Sequence, residues 1–503
     1  MQDANAPTPP PAGDSPSDSP PGSSARGASR DNPNGRLLFQ TEVFSGRKPV
    51  SIRQAAHEFL EEPARSTPVM RHTDVLVVGG GPAGTAAAVS AARLGADVTL
   101  VERYNHLGGL ATGGLVIWID RMTDWHGRRV IEGFAADVLD RLPRDEIAGP
   151  PRDEWGSRDP ARAAYWQQRT AAFHGVVTHS PTLNPEWLKG VSQQMLRDSG
   201  AHLLLHATAV APWMQGPAVR GAVFESKEGR FAIRAHVVVD ASGDGDLFAR
   251  AGARFEDDIA EDDIHHCMNT AWLFGGVDMP RWIAFRQGDP DGFAAFMAKG
   301  RETVGLFERP FVSWRDDVAL FMGPRQSGLS ALDVEHMTAV ELRSRDLMGA
   351  HLAFFRAHAP GFESAYLIHS APQLGVRHTR RLLGVSPVIR DRWASGEPLP
   401  DEIGISPSLS PAFPSISVPY GCLVPRALDG LLAPGRHLAC DPNSHSFMRE
   451  IPQCWLTGQA AGVAAALAAS RQIEPRAVDV TQLQQALRKQ GVLLRMPSDP
   501  AER

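Results

Sequence analysis

From Asp74 to Arg103 the chain is organised in blocks, DVLVVGGGPAGTAAAVSAARLGADVTLVER. An apolar run gives way to glycines, then to an alanine-rich segment, then to a second apolar run ending at Glu102. Continuous apolar runs bounded by glycine predict strands buried on both faces, and the alanines between them predict a closely packed helix. Further on, the spacing of RRVIEGFAADVLDRL (128–142) is helical. NPEWLKGVSQQMLRDSG (184–200) also reads as a helix, with Asn184 as N-cap, Pro185 in the first position and Gly200 at the end. AHLLLHATAV, RFAIRAHVVVDASGDGD and NTAWLFGGVD predict strands. TAVELRSRDLMGAHLAFFRAHAPG (338–361) predicts a long helix opened by a capping box of Thr338 and Glu341. The Pro- and Ser-rich stretch 385–418 predicts an irregular connection. A strand near GLLAPGRHLACD and a helix near CWLTGQAAGVAAALAAS close the pattern, and a short helix is expected at SIRQAAHEFLEE. The fold class is α/β.

The spacing within the first block carries chemistry. Gly79 permits a tight turn off the first strand, Gly81 lets a pyrophosphate approach the backbone, and Gly84 lets the next helix pack close to the sheet. The helix N-terminus then offers unpaired N–H groups to phosphate. Glu102 follows the second strand, where a carboxylate accepts hydrogen bonds from ribose hydroxyls. This pattern predicts a dinucleotide site, and by itself suits FAD and NAD alike.

Composition narrows the partners. The chain has 503 residues, long enough for two or more domains, with 43% hydrophobic and 21% charged residues. A formal net charge of -6 gives no basic footprint, so nucleic acid and anionic membrane are not expected as main partners. The longest small apolar stretch, Ala460 to Ala469, is too short to span a bilayer. Four cysteines without CxxC spacing suggest neither a redox dithiol nor a zinc knuckle. With no secretory leader, they point to a reducing cytoplasm. No metal site is expected: the acidic run EDDIAEDDIHHC places His265 and His266 side by side, and adjacent histidines on a strand face opposite ways. Residues 1–35, rich in Pro, Ser, Gly and Asp, read as a disordered tail.

Three further segments favour FAD: RYNHLGGLATGGL (103–115), VVVDASGDGDLFARAGA (237–253), and LLAPGRHLACDPNSHSFMREIPQCWLTGQAAGVAAALAA (431–469). With these, roughly residues 62–470 resemble the FAD-dependent oxidoreductases of the glutathione-reductase-like superfamily. The resemblance is to a branch distantly related to fumarate reductase and succinate dehydrogenase flavoproteins, and PQLGVRHTRRLLG (372–384) and VPYGCLVPR (418–426) add to it.

The resemblance implies a Rossmann-like, discontinuous FAD-binding domain (71–115, 184–255 and 419–475) with an inserted α+β substrate domain (116–183 and 256–418). An N-terminal extension (36–70) and a C-terminal helix and tail (476–503) flank them. It also implies that Gly79, Gly81, Pro82, Ala83 and Gly84 hold the pyrophosphate, and that Glu102 and Arg103 hold the adenosine ribose. Gly108, Gly109, Ala111 and Thr112 would run beside the flavin, and the Val210 backbone would meet adenine. Ala241, Ser242 and Gly243 would close over the adenosine half. Asp441 stands where relatives place an acid on the ribityl chain, although Cys440 replaces their usual glycine. Gly458 and Gln459 belong to a helix whose N-terminus would face the flavin pyrimidine edge.

The catalytic candidates are Arg377 and His378 in GVRHTRR, and Arg449. Clustered guanidiniums suit a carboxylate or an enolate oxygen, and His378 could move a proton near neutral pH. FAD is expected to be held non-covalently, since His106 does not have the spacing of a flavin-linking histidine. With no second GxGxxG unit there is no dedicated NAD(P)H domain. The expected function is hydride transfer between flavin N5 and a small organic substrate, with oxygen, a quinone or another protein as electron acceptor. The alternatives are a non-catalytic flavin-binding or assembly protein, and an RNA-modifying flavoprotein. Oligomeric state is left open.

Overall fold

The computed structural model describes residues 58–257, 266–306 and 308–495, together with the backbone of a two-residue strand at Leu38–Phe39. The expected tail, most of the helix expected at 51–62, and most of the acidic loop lie outside the described residues; residues 58–62 are not helical.

The first block folds as its pattern predicts. Strand β1 (Val69–Val78) runs into helix α1 (Pro82–Ala92) and strand β2 (Val98–Val101). Val75, Leu76 and Val77 are fully buried, as two-faced strands require. Helix α2 (Pro185–Ser199) begins at Asn184, whose side chain accepts a hydrogen bond from the Glu186 N–H, and ends at Gly200 in the left-handed region. Strands β3 (His202–Leu204), β4 (Thr208–Gln215), β5 (Ala218–Ser226) and β6 (Gly229–Asp240) follow. Together β3-β2-β1-β6-β5-β4 form one sheet. The β3-β2-β1-β6 part is parallel, and β6-β5-β4 is an antiparallel meander. The meander is possible because β6 is long: its first half, Gly229 to Arg234, pairs with β5, and Ala232 to Asp240 pairs with β1.

The chain then builds a second unit. Strands β7 (Trp272–Gly275), β8 (Phe311–Val312), β9 (Val318–Phe321) and β10 (Tyr366–Ser370) form an antiparallel sheet. It carries helices α3 (Met279–Gly288), α4 (Pro290–Val304) and α5 (Val334–His358). Its separate core is aromatic: Trp282 is ringed by Phe285, Phe293, Phe296, Phe355 and Phe362, with centroids 5.3–5.9 Å away. The chain returns to the first sheet through β11 (Leu431–Leu432), which pairs parallel with β6. Helices α6 (Pro442–Met448), α7 (Ile451–Arg471) and α8 (Val480–Lys489) complete the described structure. The architecture is α/β, a Rossmann-like sheet with an α+β insertion.

Three expectations change. Helix α5 starts at Val334, ahead of the expected capping box; Thr338 is inside it and donates its hydroxyl to the Val334 carbonyl. The helix expected over 128–142 is confined to Phe134–Asp140, because Gly133 breaks it with a positive φ of 65°. The irregular stretch 385–418 contains strand Glu402–Ser406, which pairs antiparallel with Ile416–Pro419. Glu402, fully buried there, holds the Ser417 hydroxyl and Arg495.

Helix α1 is held by contacts that only small residues allow. A Cβ at Gly84 would lie 1.8 Å from the Gly79 carbonyl oxygen. On the opposite side, Cβ atoms at Gly458 and Gly462 of α7 would each lie 2.1 Å from the carbonyl oxygens of Ala83 and Ala87. The two helices therefore touch backbone to backbone, with Ala86, Ala87, Ala461 and Ala465 wholly buried. Gly462→Ala should lower the free energy of unfolding by about 1–3 kcal/mol, because the added methyl overpacks this seam. Gly190→Ala, on the exposed face of α2 with nothing within 4 Å, should be neutral or stabilising by up to ~1 kcal/mol. Urea denaturation of both variants measures the contrast.

Candidate functional site

Gly79 leaves β1 with φ 102°, and a Cβ there would lie 2.4 Å from the Ala241 carbonyl oxygen. The turn therefore needs glycine for backbone and packing reasons alone. Gly81 differs. Its φ of −67° is open to any residue, and its nearest neighbour for an added Cβ is the Gly109 Cα at 3.9 Å. Nothing within the protein demands glycine at 81. Helix α1 starts at this point with Pro82 in its first turn and neither a side-chain cap nor an acid there. Its first N–H groups remain available to an anion.

A cleft of about 400 Å³ opens over this helix end. Gly79, Gly81, Pro82 and Ala83 form its floor. Glu102 and Arg103 at the end of β2, with Tyr104 and Gly109 beyond them, form one side. Ala241, Ser242, Gly243 and Asp244, after β6, form another. Gly435 and Arg436, after β11, and Arg449, Ile451 and Cys454, at the start of α7, close it. The C-terminal ends of parallel strands thus supply most of the lining, where open α/β sheets bind their ligands.

The charged groups are fixed by specific bonds. Glu102 accepts from the Gly80 N–H at 2.6 Å and the Tyr104 N–H at 2.8 Å, which ties the glycine turn to β2. The loop after β6 is anchored by Asp240. Its carboxylate accepts from Ser242 and from the Leu247 and Phe248 N–H groups. His437 bridges the same loop. The Gly245 N–H donates to its Nδ1, so Nε2 carries the proton and donates to the Asp240 carbonyl at 2.9 Å. Asp244 pairs with Arg436 at 2.7 Å and accepts from the Thr379 hydroxyl. Burial opposes ionisation of Asp244, but Arg436 and Arg103 together hold its carboxyl below the usual value. Asp246 moves the other way, raised by burial and by Asp244 and Asp240. For Arg103, burial works against the charge, yet Tyr104, Asp244 and Glu102 raise its pKa.

Arg449 forms an ion pair with Glu450 at 3.2 Å just before α7. Burial raises the Glu450 carboxyl, and Asp120 adds to the rise while Arg449, Arg377 and Arg121 oppose it. Behind this pair lies a histidine stack. His378 stacks on His266 at 4.6 Å and meets His445 edge-on at 5.0 Å. His445 contacts the Arg436 carbonyl through Nε2, and burial together with His378 and Arg449 holds its pKa well below 6.5.

Of the residues singled out by sequence, Gly79, Gly81, Pro82, Ala83, Glu102, Arg103, Gly109, Ala241, Ser242, Gly243 and Arg449 line this cleft. Gly108, Ala111 and Thr112 stand behind the wall, where Thr112 donates to the Leu107 carbonyl. Gly84, Gly458 and Gln459 shape the helix seam; Gln459 accepts from the Phe134 N–H and donates to the Gln490 carbonyl. Val210 lies on β4, off the cleft. Asp441 is also off it: its carboxylate caps α6 through the Ser444 N–H and accepts from the Arg390 N–H. The segment after β11 reaches the cleft earlier in the chain, through Gly435 and Arg436. Arg377 and His378 do not line it. Arg380, one of the clustered arginines of GVRHTRR, does line it, and sequence reasoning missed Asp244, Arg436 and Glu450. For Arg436 a signal existed, in the glycine directly after a short apolar strand.

The sheet and the glycine cradle define a dinucleotide-binding protein of the Rossmann-like class. Residues 74–408 and 410–487 match the family described as FAD dependent oxidoreductase, and the chain belongs to that family. It is an enzyme, and its cofactor is FAD. Digeranylgeranylglycerophospholipid reductase 2 of Methanopyrus kandleri is 28% identical over 255 residues, 46% of this chain and 54% of the relative. The sarcosine oxidase alpha subunit of a Corynebacterium is 41% identical over 92 residues, 18% of this chain and 9% of that one. The chain thus spans about half the length, or less, of these curated relatives. Among solved structures, a geranylgeranyl bacteriochlorophyll reductase-like protein of Thermoplasma acidophilum is 16% identical, covers 83% of each chain and has a TM-score of 0.40. Among the described residues no helix is long and apolar enough to cross a membrane.

Buried neutral histidines set an acid limit. Burial holds His179 down at about 3 and His351 at about 4, with Arg129 also acting on His179, and His445 is lowered too. All three are depressed below 6.5, so their contribution to stability is present above that pH and is lost as pH falls. Between pH 6.5 and 5, unfolding free energy should drop by up to about 1.4 kcal/mol per pH unit for each of His179 and His351. His351→Gln should lessen that slope by one proton's worth, as read from urea titrations across the range.

Proposed function

We propose that this enzyme exchanges a hydride between a small organic substrate and non-covalently bound FAD. The observation that carries the reading is Gly81, whose missing side chain answers to no residue of the protein and leaves the backbone bare at a helix N-terminus. When bound, FAD supplies the redox chemistry at its isoalloxazine ring. Gly81, Pro82 and Ala83 would hold the pyrophosphate, and Glu102 and Arg103 the adenosine ribose. Ala241, Ser242 and Gly243 would close over the adenosine half, with Arg436 beside them. The N-terminal turn of α7 would stabilise negative charge on the reduced ring.

Arg449 is the catalytic candidate that reaches the cleft, and it would orient an anionic or enolate oxygen of the substrate. Arg377 and His378 would act behind it as positioning residues, since both lie off the cleft and Arg377 bears electrostatically on Arg449. We place the chain in the glutathione-reductase-like superfamily, at a distance from the fumarate reductase flavoproteins. Residues 71–115, 184–255 and 419–475 would be the FAD-binding domain, and 116–183 and 256–418 the substrate domain. Four buried free thiols suit a reducing cytoplasm. Oxygen, a quinone or a partner protein would take the electrons.

Purified protein should show flavin absorbance, acid should release all of it into solution, and anaerobic screening of a metabolite library should find a compound that bleaches it. Failure of any compound or artificial donor to bleach the flavin would favour a binding role instead. Gly81→Val should weaken FAD binding by at least about tenfold, since it fills the cradle. The same variant should cost apoprotein stability only about 1 kcal/mol, the loss of a favoured N-cap residue, since a Cβ there meets nothing closer than the Gly109 Cα at 3.9 Å. FAD titration and urea denaturation of the same preparation separate the two effects.

A further inference from the structure

Two arginines of the inserted unit are held in an unusual way. Arg286 lies in the last turn of α3, and Arg309 lies just ahead of β8. Each guanidinium rests over an aromatic ring: Arg286 is 5.5 Å from the Phe293 centroid, and Arg309 is 5.8 Å from that of Phe311. Stacking fixes the plane of the fork while leaving its in-plane N–H groups unused. Arg286 Nε and Nη1 and Arg309 Nη1 are enclosed, and none meets an acceptor.

No carboxylate forms an ion pair with either arginine among the described residues. Glu308, beside Arg309 in the chain, pairs with Arg325 through one oxygen, and its charge only partly offsets the burial of Arg309. Arg309 is the charged neighbour that bears on Arg286; burial first, and then this like charge, push Arg286 down to about 9. Burial also lowers Arg309, with Glu308 opposing. Two partly desolvated like charges with idle donors are costly to hold together unless an anion joins them. Both residues remain half-buried, so one side of the pair is open to solvent. Neither lines the FAD cleft.

We propose that Arg286 and Arg309 form an oxyanion-binding site in the inserted unit, separate from the FAD cleft, that takes the carboxylate or phosphate group of a small ligand. Planar forks with free N–H pairs match the paired oxygens of either group. The site does not depend on the flavin reading.

The test uses FAD-saturated protein, so that the phosphate-accepting helix end of the cleft is filled. Inorganic phosphate and malonate are titrated separately against sodium chloride of matched ionic strength, with melting temperature and calorimetric binding as readouts. At least one oxyanion should give a saturable rise that chloride does not. A response to phosphate alone assigns a phosphate ligand, and one to malonate alone a carboxylate. Arg286→Gln and Arg309→Gln should each weaken the response by about tenfold or more, the loss expected for a charge-assisted pair. Arg286→Lys is the milder variant; it keeps the charge but loses the fork, and should also weaken binding. Unchanged flavin absorbance per protein certifies that each variant is folded. No saturable response in the unaltered protein, a response equalled by chloride, or a response that survives the substitutions would overturn the proposal.

Discussion

The cleft exists because three pieces of backbone come closer together than any side chain would permit. Helix α1 meets the turn after β1 at Gly79 and Gly84, and it meets α7 at Gly458 and Gly462. Removing Cβ atoms on both sides lets α1 sit flush against the sheet and against a helix from far along the chain. Its N-terminus is thereby aimed, without a cap, into the space between the strand ends. Close packing of this kind is rigid, since neither partner has a side chain to rearrange. The polar groups that converge on the cleft depend on that rigidity for their positions.

Around this seam the electrostatics are local and paired. Glu102 spends its oxygens on backbone N–H groups on either side of the cleft floor. Asp240 and His437 hold the loop after β6 in shape, so that Asp244 can face Arg436 across the opening. At the other end, Glu450 shares a crowded buried neighbourhood with Arg449, Arg377, Arg121 and Asp120, and burial raises its carboxyl above the ordinary value. The cleft thus has a well-paired end by the loop after β6 and a more crowded end by α7.

Much of this was legible in the chain itself. The strand–glycine–helix–strand block showed its fold through two-faced apolar runs, and its site through glycine spacing, because both depend on neighbours within thirty or so residues. Asn184 and Gly200 marked the ends of α2 for the same local reason. What could not be read were contacts made across the fold. Asp441 looks like a ligand of the ribityl chain in sequence but caps α6. His378 looks like a proton carrier but lies off the cleft, stacked on His266 and met edge-on by His445 of α6. Arg436 and Asp244 matter through each other, and no periodicity links positions so far apart. Thr338 resembled a helix start until Val334 showed the helix already under way.

The small-residue seam has a consequence for how the polypeptide comes off the ribosome. Helix α1 is made early, yet the partner that covers its alanine face, α7, is made only after the whole inserted unit. Strand β11, which extends the sheet beside β6, also emerges late. During most of synthesis an apolar, nearly featureless helix face has nothing to rest on. Contacts of such sequence separation are slow to form and leave sticky surface exposed meanwhile. The cleft can therefore be completed only after α7 and β11 have been made, and its assembly belongs to the end of folding rather than to its start.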